Sequence, residues 1–249
     1  MNDRSIRSVH ARRVWDSRGR PTVEAEVTLH DASVGRAMVP AGASKGTREA
    51  LELRDATQRF GGLDVLRAVG NVNDEIARAV IGCAADDQEA LDQRLIDLDG
   101  TPGKTRLGAN ATLAVSMAGA HAAAASLGVP LFQYLGGPDA TLLPMPQIQI
   151  FGGGVHAGRR VDIQDFMIVC PGAHGFGQAI EWTAEVYRCA GLLMQERGSR
   201  FGVADEGGWW PDFDTNEQAI EALVEAIERA GFTPGAYGTA AAGRPSRPK

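Results

Sequence analysis

Residues 22–29, Thr-Val-Glu-Ala-Glu-Val-Thr-Leu, alternate without a fault, odd positions apolar and even positions polar. A period of two puts successive side chains on opposite faces, so the run predicts a half-buried strand with a defined inner face. Residues 8–15 offer a partner on one side, across the turn Asp16-Ser17-Arg18-Gly19-Arg20-Pro21. Residues 34–39 offer another, after His30-Asp31-Ala32, and Pro40 closes that run. The first part of the chain is therefore expected to be an antiparallel meander.

Helical spacing follows. Leu63, Leu66, Val69, Val72, Ile76 and Val80 recur at three and four residues, which predicts an amphipathic helix ending near Gly82. A shorter helix is expected over 87–98. An alanine-crowded one over 110–127 is suited to close packing and stopped by Gly128 and Pro130. Past Gly136-Gly137-Pro138 the character changes. Residues 145–151 read as a buried strand leading into Gly152-Gly153-Gly154, and 162–169 as a second apolar strand. A long helix over 178–196 and the loop Asp205-Glu206-Gly207-Gly208 come next. Thr215-Asn216-Glu217-Gln218 is a capping box, and Ile220, Leu223, Val224 and Ile227 give the stripe of the helix it opens. The residues from Gly235 onward have no apolar period and are expected to be disordered.

No run approaches ~18 consecutive apolar residues, so a membrane span is not expected, and the start lacks the apolar core of a secretory signal. A net charge of −6 with a pI near 5.4 leaves no nucleic-acid footprint. A soluble, cytoplasmic protein is expected. Cys83, Cys170 and Cys189 are too irregularly spaced for a disulfide framework or a metal knuckle, and read as small buried hydrophobes. Of 25 basic residues three are lysines, Lys45, Lys104 and Lys249, so a lysine base must be one of these.

Several motifs, in order, resemble the enolase family over roughly residues 8–235. Asp16-Ser17-Arg18-Gly19 with Pro21-Thr22-Val23-Glu24 is similar to its opening motif. Gly42-Ala43-Ser44-Lys45-Gly46 resembles its mobile active-site loop, and Arg48-Glu49-Ala50-Leu51-Glu52-Leu53-Arg54-Asp55 the sequel. Leu107-Gly108-Ala109-Asn110-Ala111, Gln164-Asp165-Phe166-Met167-Ile168 and Asp205-Glu206-Gly207-Gly208 continue the match. The resemblance implies an α+β capping domain over 1–138, an antiparallel meander plus helices, followed by an enolase-type α/β barrel of alternating strands and helices. A complete barrel takes about 250 residues and at least ~200. From Thr141 to Pro234 there are only 94 positions, so the barrel over 139–234 is expected to be incomplete, with 235–249 a disordered tail.

The implied activity is a carbon–oxygen lyase of glycolysis, turning 2-phosphoglycerate into phosphoenolpyruvate and water with Mg²⁺. Such chemistry removes a proton α to a carboxylate and expels hydroxide. It requires a base, a cation over the developing charge, and an acid for the leaving group. The resemblance assigns the acid-side role to Glu206, for which a glutamate in a solvated turn is the plainer reading; Asp205 beside it is expected to orient the loop. It places His156, Gln164 and Asp165 against the substrate, with a structural histidine and a strand-interior hydrogen bonder as the plainer readings of the first two, and makes Ser44 a ligand of the second Mg²⁺.

This chain departs from the family at several points. Asp165 stands where the family has glutamate, shortening the reach by ~1.5 Å, and ~1 Å of misplacement can cost ~10²-fold in rate. Gly152 replaces an asparagine, and Lys45 a threonine, placing a cation in the lid where phosphate would lie. Arg159 and Arg160 add two cations near His156, read either as solvated charge or as recognition of an extra anionic group by bidentate hydrogen bonding. The family's three acidic Mg²⁺ ligands and its catalytic lysine come from later barrel strands, and no segment here matches them.

Three functions follow as expectations. The first is an enolase-family lyase with negligible turnover as this chain alone. The second is a diverged relative such as carboxyphosphonoenolpyruvate synthase of phosphonate antibiotic biosynthesis, whose substrates carry extra negative charge. The third is a non-catalytic remnant that binds a partner. The expected partners are a small phosphorylated acid and a second copy in a homodimer, with no nucleic acid or membrane. The abrupt change to Ala, Gly, Arg and Pro after Pro234 is what a shifted reading frame produces, which the downstream coding DNA would reveal.

Overall fold

The computed structural model describes residues 4–42, 46–199, 202–204, 206–235 and 239–242. The chain divides into two compact units, 1–141 and 142–249.

In the first unit β1 (Ile6–Trp15), β2 (Pro21–Leu29) and β3 (Val34–Met38) form an antiparallel meander in that order. Val23, Ala25, Val27 and Leu29 of β2 are fully buried while Glu24, Glu26 and Thr28 stay half-exposed, as the alternation requires. The buried face is covered by α4 (Ala109–Leu127). Contact is close because α4 presents alanines and β3 presents Gly35. A Cβ at Gly35 would stand 2.1 Å from the Ala118 carbonyl oxygen and 2.2 Å from the Ala122 nitrogen.

The stripe expected to start at Leu63 begins three residues later. Leu63 and Asp64 precede the helix, and Asp64 is buried on the Arg13 guanidinium, with both carboxylate oxygens 2.8 Å from Arg13 Nη1. The stripe then runs through α1 (Leu66–Asn71), a π-helical turn (Val72–Ile76) and α2 (Ala77–Val80). The π turn carries Asn73, whose amide accepts from Ala11 N at 2.6 Å and donates to Ala11 O at 3.0 Å. A side chain thereby pairs with the outer edge of β1 in place of another strand. Next, α3 (Gln88–Asp99) is capped by Asp87, which accepts from Ala90 N. A short helix, α5 (Leu131–Gly136), follows Pro130. Pro130 stops α4 yet opens α5, since its fixed φ suits a helix N-terminus.

The second unit contains β4 (Ile148–Gly152), β5 (Asp165–Val169), α6 (Phe176–Glu196), α7 (Asn216–Arg229) and β6 (Thr239–Ala242). The elements follow the order read from the sequence, two strands and then two helices, and β4 and β5 are antiparallel. Their connection holds a glycine loop and one 3₁₀ turn (Gly154–Ala157), with no helix to span a parallel crossover. A parallel bridge does form between Phe151 and Trp209. Phe151, Phe166, Ile168, Leu193, Met194, Leu223 and Ile227 fill the core between strands and helices. At the start of α7, Thr215 Oγ1 accepts from Gln218 N at 3.3 Å, while Gln218 Oε1 reaches back to Asp214 N at 3.0 Å.

The expected tail also needs correcting. Thr239–Ala242 form β6, antiparallel to β5, while 236–238 and 243–249 lie outside the described residues. The open edge of β5 offers unpaired backbone groups, and main-chain pairing is indifferent to the weak side-chain pattern that suggested disorder. Cys170 and Cys189 are buried and Cys83 is half-buried, all three as free thiols. Among the described residues, no helix is long and apolar enough to cross a membrane.

Candidate active site

The antiparallel turn decides where the polar residues of the second unit meet. Because β5 runs back along β4, its first residue, Asp165, pairs with the last residue of β4, Gly152. Asp165 and the preceding Gln164 therefore stand at the C-terminal end of β4, the end where barrel enzymes place their chemistry. The register of β4 slips between Gln149 and Phe151. Such a bulge re-aims a side chain.

Gln149 is the hub of what gathers there. Its Nε2 donates to Asp165 Oδ1 and, at 3.1 Å, to Glu206 Oε2. Its Oε1 accepts from Gly208 N at 2.9 Å. Gln164 Nε2 lies 3.4 Å from the other oxygen of Glu206, Oε1. Both oxygens of Glu206 thus accept hydrogen bonds from neutral amides. Gln149 and Asp165 are half-buried, while Glu206 is exposed.

The loop that carries Glu206 is held on two sides. Within it, Gly207 N donates to Ala204 O at 2.9 Å and Ala204 N to Gly208 O at 2.7 Å. Toward β4, Trp209 N donates to Ile150 O at 2.8 Å and Gly152 N to Trp209 O at 3.0 Å. Gly208 must be glycine for the loop to lie so near the strand. A Cβ there would stand 2.5 Å from Gln149 Oε1 and 2.8 Å from the Gly152 nitrogen. Toward α6, Tyr187 Oη donates to Gly207 O at 2.8 Å, and burial raises the Tyr187 phenol above its ordinary value, so it stays a donor.

Of the residues expected at the site, the structure brings together Gln164, Asp165 and Glu206. His156 falls in the 3₁₀ turn between the two strands. Arg160 pairs with Asp212 and Arg159 is exposed, with a left-handed φ of 61°. Ser44, Lys45 and Asp205 lie outside the described residues. Sequence reasoning missed Gln149, Tyr187 and Trp209. The available signal for Gln149 was a glutamine with apolar neighbours, Ile148 and Ile150, in a strand otherwise read as buried.

Magnesium requires an octahedral shell of oxygens. Among the described residues no three His, Cys, Asp or Glu side chains lie together, and Asp165 and Glu206 are already engaged by amides. The described residues do not fit a resident Mg²⁺.

An α+β N-terminal unit, followed in sequence by strands and helices with carboxylates gathered at a strand end, is the layout of a capping domain and an incomplete α/β barrel. Residues 6–135 match the family model "Enolase, N-terminal domain", and residues 140–241 match "Enolase, C-terminal TIM barrel domain". The chain belongs to the enolase family. Its second unit matches the barrel-domain model of that lyase family.

Proposed function

We propose that the chain is an enolase-type carbon–oxygen lyase acting on 2-phosphoglycerate, with Glu206 handling the proton that leaves with the β-hydroxide. The observation that carries this reading is the cluster of Glu206, Asp165 and two glutamine amides at the end of β4. Hydroxide is a poor leaving group unless an acid protonates it as the carbon–oxygen bond breaks. Glu206 is exposed enough to reach a substrate and tethered enough to be aimed. Gln164 and Asp165 border the same space and serve as substrate contacts.

The other half of the reaction, abstraction of a weakly acidic proton α to a carboxylate, needs a Lys or His base and a strong cation. Lys104, the one lysine among the described residues, lies in the first unit with its Nζ 3.4 Å from Thr101 O. We expect the 249-residue chain alone to have negligible turnover. The test supplies it in trans with a polypeptide carrying the later strands of an enolase-family barrel, and follows phosphoenolpyruvate formation with Mg²⁺ present. Product formation that is lost on Glu206→Gln supports the reading. Turnover by the assembled pair that Glu206→Gln leaves intact overturns it.

A second reading, a carboxyphosphonoenolpyruvate synthase-like enzyme, is favoured by Gly152. The Ala204 methyl lies 2.4 Å from where a Cβ at 152 would stand, so the family's asparagine cannot return without moving that loop. With Asp165 shortened and Arg159 exposed, the site is reshaped toward a substrate of different anionic form. Turnover of phosphonoformate with a phosphoglycerate, and not of 2-phosphoglycerate alone, selects this reading. A cytoplasmic homodimer is proposed for either, and sedimentation of the purified chain measures its assembly.

A further inference from the structure

We infer that Gln149 is the positioning residue of this site: its side-chain amide, rather than its bulk, holds Asp165 and Glu206 as a bridged pair of carboxylates. The inference rests on the role proposed for Glu206 and adds the group that aims it. Gly208 N is a donor only, so the amide oxygen of Gln149 must face it at 2.9 Å. That contact settles which way the amide points. The two hydrogens of Nε2 then face the two remaining neighbours, Asp165 Oδ1 and Glu206 Oε2.

One planar group thus ties together a strand end, a neighbouring strand and a catalytic loop. Three consequences follow from its chemistry. The amide is neutral, so it brings two like charges together without cancelling either. It does not ionise in the physiological range, so it orders the carboxylates without competing for the proton they handle. It also links the backbone of the Glu206 loop to β4, so a movement of that loop and the loss of the carboxylate pair are a single event.

The test uses the 249-residue chain, isotopically labelled for NMR, at pH 7. The Gln149 side chain is expected to give two inequivalent amide protons, one shifted by Asp165→Asn and the other by Glu206→Gln. In Gln149→Met, which keeps the length and loses the amide, the Gly208 N–H is expected to exchange roughly tenfold faster, the loss of about one hydrogen bond. Core amides of β4 and β5 should exchange as before. A space-filling role would leave Gly208 exchange unchanged in Gln149→Met, and that result overturns the proposal. So does a pair of carboxylate substitutions that moves neither Gln149 proton, an arm that stands even if Gln149→Met fails to fold. None of these readouts requires turnover. A failed clamp therefore leaves the lyase reading in place, and a chain inactive in every assembly leaves the clamp in place.

Discussion

Tyr187 and Trp209 stack with their ring centroids 4.8 Å apart and planes 18° from parallel, and each is tied to the other's segment by a hydrogen bond. Trp209 Nε1 donates to Tyr187 O at 2.9 Å, and Tyr187 Oη donates to Gly207 O at 2.8 Å. Helix α6 thereby grips the Glu206 loop through contacts other than those of Gln149.

Tyr187→Phe keeps the stack and deletes the hydroxyl. It is expected to cost ~0.5–1.5 kcal/mol, felt as local opening of the loop rather than global unfolding. Hydrogen exchange at Gly207 and Gly208 measures it. Trp209→Ala removes the stack as well, and should lower the denaturant midpoint of the second unit, which tryptophan-free probes such as circular dichroism can follow.

Gly208→Ala places a methyl where Gln149 Oε1 and the Gly152 nitrogen already lie. One of the two neighbours must shift, and Gly152 N is backbone engaged with Trp209 O. A destabilisation of ~1–3 kcal/mol is expected, as for other overpacked sites. Urea unfolding of the variant checks it. Gly175→Ala, where a Cβ meets nothing within 4 Å, is the control.

Two buried acids set the acid limit of the first unit. Burial works against the charge of Asp64, but the Arg13 guanidinium and Val65 N–H outweigh it, holding the carboxyl below its ordinary 3.8. At Asp99, burial is likewise outweighed by the Thr101 hydroxyl and by Leu107 N–H and Thr101 N–H. Below the unfolded-state value, near 3.9, the unfolded chain binds protons that the folded unit does not. The stabilisation is therefore complete above about pH 4–5 and is lost as the pH falls through the depressed folded values. Thermal melts from pH 7 to 2 should show a flat upper limb and a falling acid limb, and Asp64→Asn should be less stable at neutral pH with a shallower acid limb.

Calorimetric titration of the chain with MgCl₂ in the absence of substrate is expected to show no tight, stoichiometric uptake, because the described carboxylates do not converge in threes. Saturable one-to-one binding would place the missing ligands among the residues outside that set.

Local pattern made much of this protein legible. The alternation at 22–29, the alanine-crowded 110–127 and the Thr215 capping box each specify an element through interactions within a few residues, and β2, α4 and α7 formed where those patterns lay. The ordered motifs likewise identified the family that the two matched models show. What pattern could not supply was direction and partnership. Nothing in residues 145–169 states that β5 returns antiparallel to β4, yet that reversal sets Asp165 beside Gly152 and so defines the site. Gln149 reads as a stray polar residue in an apolar strand until Gly208, 59 positions away, supplies the donor that turns its amide toward two carboxylates. Sequence alone determined the elements and the family, because those depend on neighbours along the chain. The tertiary structure decided the carboxylate bridge, because its members are brought together by backbone pairing between distant segments, and that pairing leaves no local period to read.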